Sequence, residues 1–244
     1  MAPRQSTIAP TPTELEARRW AERTESDAAL IFTRVPDHLI DVHLQLTSRA
    51  QEADASALIL SGSTARGCRT DISDLDYHLI GDRVETADLS HELDVHVLSP
   101  VELEARLTAG DDFVHWSLRY GLVVFDSGPA RAAAARMTRD ELWPDPVRKA
   151  RHATRSLDLA ARFVTTGDLD GATVQVRTAL SLAARAHLLE RHVFPLSRAE
   201  LPGQLADAGQ DQAAAMLSGL IRSDLELDEL ESAVAAGRSL LTSK

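Results

Sequence analysis

The sequence predicts an α+β domain followed by an all-α helical bundle, and three observations carry that reading. Short apolar or alternating runs of strand length occur before Gly128-Pro129, separated by helical stretches. After that dipeptide the chain is Ala/Leu/Arg-rich with helical spacing, and only Gly, Pro or Asp interrupts it. Strands confined to one half and helices alone in the other describe two architectures in one chain. With 244 residues, 44% of them hydrophobic, there is enough chain to bury a core without disulfide staples.

Residues 1–12 hold three prolines among small polar residues and read as a flexible leader. Leu15, Trp20, Ala28, Leu30, Ile31 and Phe32 suggest a first helix, and Ile40, Val42, Leu44 and Leu46 a second that ends near Ala50. Ala57-Leu58-Ile59-Leu60, stopped by Ser61-Gly62-Ser63, reads as a buried strand feeding a turn that opens a helical stretch. In Asp74-Leu75-Asp76-Tyr77-His78-Leu79-Ile80, alternation sends Leu75, Tyr77 and Leu79 into the core and leaves Asp74, Asp76 and His78 on the other face. The same rule turns Leu93, Val95 and Val97 inward and Glu92, Asp94 and His96 outward. Helices are expected over 100–108 and 111–120, then a strand over Leu122–Phe125. Further helices are expected over 130–142, 146–166, 170–192, 197–208, 211–222 and 225–242.

Composition narrows the function. No apolar run approaches the roughly 18 residues of a membrane span. Cys68 is the one cysteine and cannot form an internal disulfide, and the first residues lack the apolar core of a secretory signal, so a cytoplasmic protein is expected. The net charge of −11 argues against a general nucleic-acid coat. That charge is uneven: residues 1–126 carry 11 Lys/Arg against 22 Asp/Glu, and residues 127–200 carry 12 against 8. An acidic region beside a basic one suits metal-assisted chemistry on an anionic ligand, although solvated helix faces give the same totals.

The chemistry concentrates in Gly62-Ser63-Thr64-Ala65-Arg66-Gly67 and the following Ser73-Asp74-Leu75-Asp76. A Gly-Ser turn after a strand offers backbone N–H groups and a hydroxyl to phosphate oxygens. Asp74 and Asp76, two residues apart on a strand, project side by side as hard oxygen ligands for Mg²⁺, and Asp94 on a neighbouring strand completes the cluster. Three carboxylates beside a phosphate-binding turn describe two-metal nucleotidyl transfer. The turn lacks the Lys-Ser/Thr of a P-loop and the G-x-G-x-x-G spacing of a dinucleotide site, and no G-x-S-x-G elbow is present.

This stretch resembles the signature of the DNA polymerase β-like nucleotidyltransferase superfamily: Gly-Ser, then Ala-Arg-Gly, then Ser-Asp-x-Asp, with a third Asp on a later strand. Within it the nearest likeness is to small bacterial antibiotic or minimal nucleotidyltransferases with a C-terminal helical bundle. Trp116-Ser117-Leu118-Arg119-Tyr120-Gly121 leading into Val124-Phe125-Asp126 is similar to the passage that closes their catalytic domain. The likeness covers residues 55–126 and implies a small mixed β-sheet domain with flanking helices over 13–128, and a bundle over 129–244. It further implies that Gly62 and Ser63 hold the triphosphate of ATP or another NTP, that Asp74 and Asp76 ligate two Mg²⁺ ions, and that Asp94 ligates the catalytic one. Asp94 is also given the acceptor's proton, with Glu92 as a substitute third carboxylate.

Other residues carry two readings each. Arg66 suits phosphate contact or a loop anchor to Asp71; His78 and His96 share the aspartates' face but are expected as hydrogen-bonded structural histidines. Arg148, Arg151, Arg155 and Arg162 form one face of a helix, with Lys149 beside it as a triphosphate candidate. Cys68 reads as incidental, and Glu190 suits an acceptor-site base or, more simply, a surface position. The expected activity is transfer of AMP from ATP to a hydroxyl of a small, aminoglycoside-like acceptor, which an acidic cleft attracts if it is cationic. A protein acceptor is the rival. From a different class, Arg185 and His192 on one helix face loosely match the Arg…His pair of helical-bundle ribonucleases. Nucleic acid and membrane are not expected as partners, and an apolar bundle face leaves room for a homodimer.

Overall fold

A computed structural model of the chain describes residue 23 and residues 25–70, 73–222 and 227–242. The expected leader, the first half of the first helix and Asp71 lie outside them. Two compact units make up the chain, the first ending at Trp143 and the second beginning at Pro144.

In the first unit, helix α1 (25–34), a short 3-10 turn (Asp37–Leu39) and helix α2 (Ile40–Glu52) precede strand β1 (Ala57–Leu60). There follow α3 (Gly62–Arg66), β2 (Leu75–Ile80), β3 (Leu93–Leu98), α4 (Pro100–Thr108), α5 (Asp112–Tyr120), β4 (Leu122–Asp126) and α6 (Pro129–Arg139). The four strands form a mixed sheet in the order β3-β2-β1-β4, with β2 and β3 parallel and β1 antiparallel to both its neighbours. Local signals set the helix starts. Ser99 and Glu102 form a reciprocal capping box ahead of Pro100, and the Asp111 carboxylate accepts from the amides of Phe113 and Val114.

Both faces of the sheet are covered. On one, Leu58, Leu60, Leu75, Tyr77 and Leu79 are fully buried, and the Tyr77 hydroxyl shares a 2.8 Å hydrogen bond with His43 Nδ1 of α2. On the other, Ala57, Ile59, Ile80 and Val123 pack with Leu103, Leu107, Val114 and Leu118 of α4 and α5 and with Ala130, Ala133 and Met137 of α6. That second layer corrects the simple alternation: His78 and Ile80, on the same face as Asp76, are buried, and only the Asp74–Asp76 end of β2 stays accessible. The change from strands to helices comes at Gly128, as the sequence indicates, but α6 folds back onto the sheet and belongs with the first unit. Asp126 receives the amides of Gly128, Ala130 and Arg131 and so starts that helix. At the outer strand β4, the Val123 N–H is taken by the buried Asp27 carboxylate of α1 at 2.9 Å, and Arg23 reaches the carbonyls of Leu118 and Gly121.

The second unit comprises α7 (Pro146–Thr166), α8 (Leu169–Glu190), α9 (Leu201–Asp207), α10 (Asp211–Arg222) and α11 (Leu227–Thr242). Asp145 and Asp168 cap α7 and α8, and Gly167, at φ +77°, ends α7 in the left-handed conformation. Its core is rich in small residues: Ala153, Ala160, Ala172, Ala179, Ala183 and Ala184 are wholly buried among leucines. A Cβ on Gly237 would lie 2.9 Å from Leu157, so α11 and α7 approach closely there. Two helix bounds differ from the sequence reading. α8 ends at Glu190 because His192 adopts φ +57° ahead of Val193-Phe194-Pro195. α9 begins at Leu201 because the Ser197 amide and hydroxyl both donate to the Glu200 carboxylate and hold residues 197–200 in a turn. Among the described residues no helix is long and apolar enough to cross a membrane.

Candidate active site

The site is assembled where β1 ends beside the start of β2. The Ser61 amide donates to the Asp76 carbonyl at 2.7 Å, and the chain then turns at Gly62 into α3. Gly62 is required twice over. Its φ is +65°, and a Cβ at that position would collide with the carboxylate of Asp76. The glycine turn therefore lies directly against the carboxylate. Gly67, also left-handed at φ +71°, closes α3, and the Arg34 guanidinium holds the Ala65 carbonyl from outside.

Asp76 and Asp94 face each other in register across the parallel pair β2/β3, as do His78 and His96. Single ligand atoms of Asp76, Asp94 and His96 lie within 4.8 Å of one another, and His96 Nε2 is 3.2 Å from Asp94 Oδ2. Asp76 is half-buried, and among the described residues no salt bridge or hydrogen-bond donor reaches its carboxylate. Burial, then the negative charges of Asp94 and Asp74, push its pKa up to about 6, with His96 opposing in part. A carboxylate left short of positive charge beside two others fits a divalent cation, whose charge would reverse that balance. Asp74 is exposed at the mouth of the cluster and Asp94 is exposed on the edge strand.

Directly beneath, Ser61 Oγ, Ser117 Oγ and His78 Nδ1 form a buried hydrogen-bonded triangle with sides of 2.9, 2.7 and 3.1 Å. His78 is 3% exposed, and burial lowers its pKa to about 3, so the ring is neutral. The triangle ties the loop after β1, strand β2 and helix α5 together below the carboxylates. Phe113 lies against both histidine rings, with centroids 4.3 Å from His78 and 4.7 Å from His96.

Other expected residues fall into place around this centre or away from it. Ser63 follows Gly62 in the turn. The Arg66 guanidinium lies over the Tyr120 ring at 5.2 Å, a cation–π contact that the sequence reading lacked. Glu92 is paired with Arg69 at 2.8 Å and has His38 3.6 Å away, whereas Asp94 is the carboxylate in register with Asp76. Cys68 is half-buried beside the Ser63 carbonyl. Lys149 lies half-buried on α7 of the second unit, with Arg148, Arg151, Arg155 and Arg162 exposed along the same helix, and Glu190 is the exposed last residue of α8. The ribonuclease-like pair is not on one helix face. Arg185 donates to the Leu196 carbonyl, and His192 is in the turn beyond α8. His96 is the residue sequence reasoning undervalued; the signal was its i+2 spacing from Asp94 on a strand, which puts both on one face.

No family model matches the chain, and no curated protein matches it. Among solved structures it is similar to a nucleotidyltransferase-like protein from Exiguobacterium sibiricum, at 18% identity and a TM-score of 0.43, over 81% of this chain and 72% of that one.

Proposed function

We propose that the chain is a divalent-metal-dependent nucleotidyltransferase that moves AMP from ATP to a hydroxyl of a small, cationic, aminoglycoside-like acceptor and releases pyrophosphate. The observation that carries this reading is the register pairing of Asp76 with Asp94 against the Gly62 turn. Asp74, Asp76 and Asp94 are the residues to hold Mg²⁺, which supplies charge neutralisation at the triphosphate and lowers the pKa of an attacking hydroxyl. The turn at Gly62 and Ser63 receives phosphate oxygens, because its glycine lets the backbone approach them closely. Asp94, exposed on the edge strand, is the group assigned to take the acceptor's proton. The acceptor oxygen then bonds to the α-phosphorus as the bond to the bridging oxygen breaks. Positioning and charge, rather than covalent chemistry by the protein, supply the rate.

Mass spectrometry of mixtures of the protein, Mg²⁺ and each of the four ribonucleoside triphosphates, with a panel of aminoglycosides and with cell extract, tests this. An adenylylated aminoglycoside is expected, reduced at least about a hundredfold in Asp74→Asn/Asp76→Asn. A nucleotidylated protein in the extract would replace the small acceptor. No product with any donor, together with no binding of magnesium-nucleotide by calorimetry, would discard the reading.

A further inference from the structure

His96 gives the carboxylate cluster a donor of a different chemical kind. Its ring is placed by three contacts: Asp94 at 3.2 Å, an edge-to-face packing on Phe113 at 4.7 Å, and the neighbouring His78 ring at 5.5 Å. His78, one strand further in, is buried and committed to Ser61 and Ser117, so the two histidines in register are not interchangeable. The His96 side chain is 43% exposed and that of Asp94 55%, so both have room to turn toward an ion held by the half-buried Asp76. Carboxylate oxygens alone suit Mg²⁺, which binds imidazole poorly and sheds its water reluctantly. Two carboxylates and an imidazole retain octahedral oxygen chemistry and add a nitrogen, a set that Mn²⁺ accepts and that favours it over Mg²⁺.

From this geometry we infer that His96 is a third protein ligand, with Asp76 and Asp94, of an ion position that prefers Mn²⁺ to Mg²⁺. This deepens the proposed function and rests on its assignment of Asp76 and Asp94 as metal ligands. An ion brought in on the nucleotide triphosphate, held by Asp74 and Asp76, has no imidazole donor in this assignment and remains Mg²⁺.

The test is a titration of the full chain at pH 7.5, without nucleotide, following free Mn²⁺ by electron paramagnetic resonance and Mg²⁺ by competition. Wild type is expected to bind Mn²⁺ at least about tenfold more tightly than Mg²⁺, and His96→Ala to lose about tenfold in Mn²⁺ affinity while Mg²⁺ affinity changes by less than about twofold. Pulsed measurements should show a directly bound imidazole nitrogen on Mn²⁺ in wild type and none in His96→Ala. An unchanged preference in His96→Ala, or no nitrogen coupling in wild type, overturns the inference and leaves His96 as an ion-pair partner of Asp94. Nucleotidyl transfer without metal discrimination would retain the proposed function and overturn this inference. Nitrogen-coordinated Mn²⁺ with no transfer product would do the reverse. Thermal melting of His96→Ala at the wild-type temperature establishes that the variant is folded.

Discussion

Strands β2 and β3 carry the same three-residue pattern in register, Asp76-Tyr77-His78 beside Asp94-Val95-His96, yet the structure uses the two copies differently. β2 lies inside the sheet, so its aspartate is half-buried and its histidine is sealed under α5 as a neutral hydrogen-bonding part of the frame. β3 is the edge strand, so its aspartate and histidine are more accessible, with side chains 55% and 43% exposed. Identical spacing thus yields a buried, hydrogen-bonded histidine on one strand and a more accessible Asp-His pair on the next. Position in the sheet, which alternation along one strand does not encode, decides between the two.

The comparison breaks most severely if the inner carboxylate is displaced. Gly62→Ala adds a Cβ where the Asp76 carboxylate sits and strains a φ of +65°. It should cost about 1–3 kcal/mol in denaturant stability and, by misplacing Asp76, at least about a hundredfold in nucleotidyl transfer. Wild-type activity in this variant would mean that the turn has no part in catalysis. The histidines separate next. His78→Ala removes a buried ring and its hydrogen bonds to two serines, and should destabilise by about 3 kcal/mol in urea unfolding. His96→Ala should shift the same midpoint by less than about 0.5 kcal/mol. Equal losses would erase the distinction between anchor and ligand.

The inner carboxylate also carries a pH dependence. Because the folded-state pKa of Asp76 is raised to about 6 from 3.8, this group contributes stability that is complete below pH 3.8 and is lost as pH rises through 6. Asp76→Asn removes that loss, so in chelator-containing buffer it should match wild type near pH 4 and exceed it by about 2 kcal/mol at pH 8. A variant less stable than wild type at pH 8 would show that Asp76 is well compensated in the apo chain.

Much of this was readable in the sequence because local chemistry decides it. The capping box at Ser99, the Asp145-Pro146 start and Gly167 stop of α7, and the alternation in β2 and β3 each act within a few residues. The carboxylates and glycine turn were readable for the same reason, as their spacing is itself the geometry. What escaped depends on partners distant in sequence. The lid over His78 comes from α5, the ion pair of Glu92 from Arg69, and the retention of α6 in the first unit from apolar contacts across the sheet. The end of α8 escaped for a local reason of another sort: Arg191 and His192 look helical, yet His192 takes a positive φ that side chains rarely adopt.

The bond from Val123 N–H to Asp27 also protects the molecule from its own copies. β4 is the outer strand of the sheet, and an outer strand with unmet amides invites a second chain to add a strand of its own. By occupying that amide with the Asp27 carboxylate, and the nearby Leu118 and Gly121 carbonyls with Arg23, α1 and Arg23 block the place where such stacking would begin. A chain cut after Val35 would lose this guard while keeping every residue of the carboxylate cluster, and its first failure would be aggregation through β4.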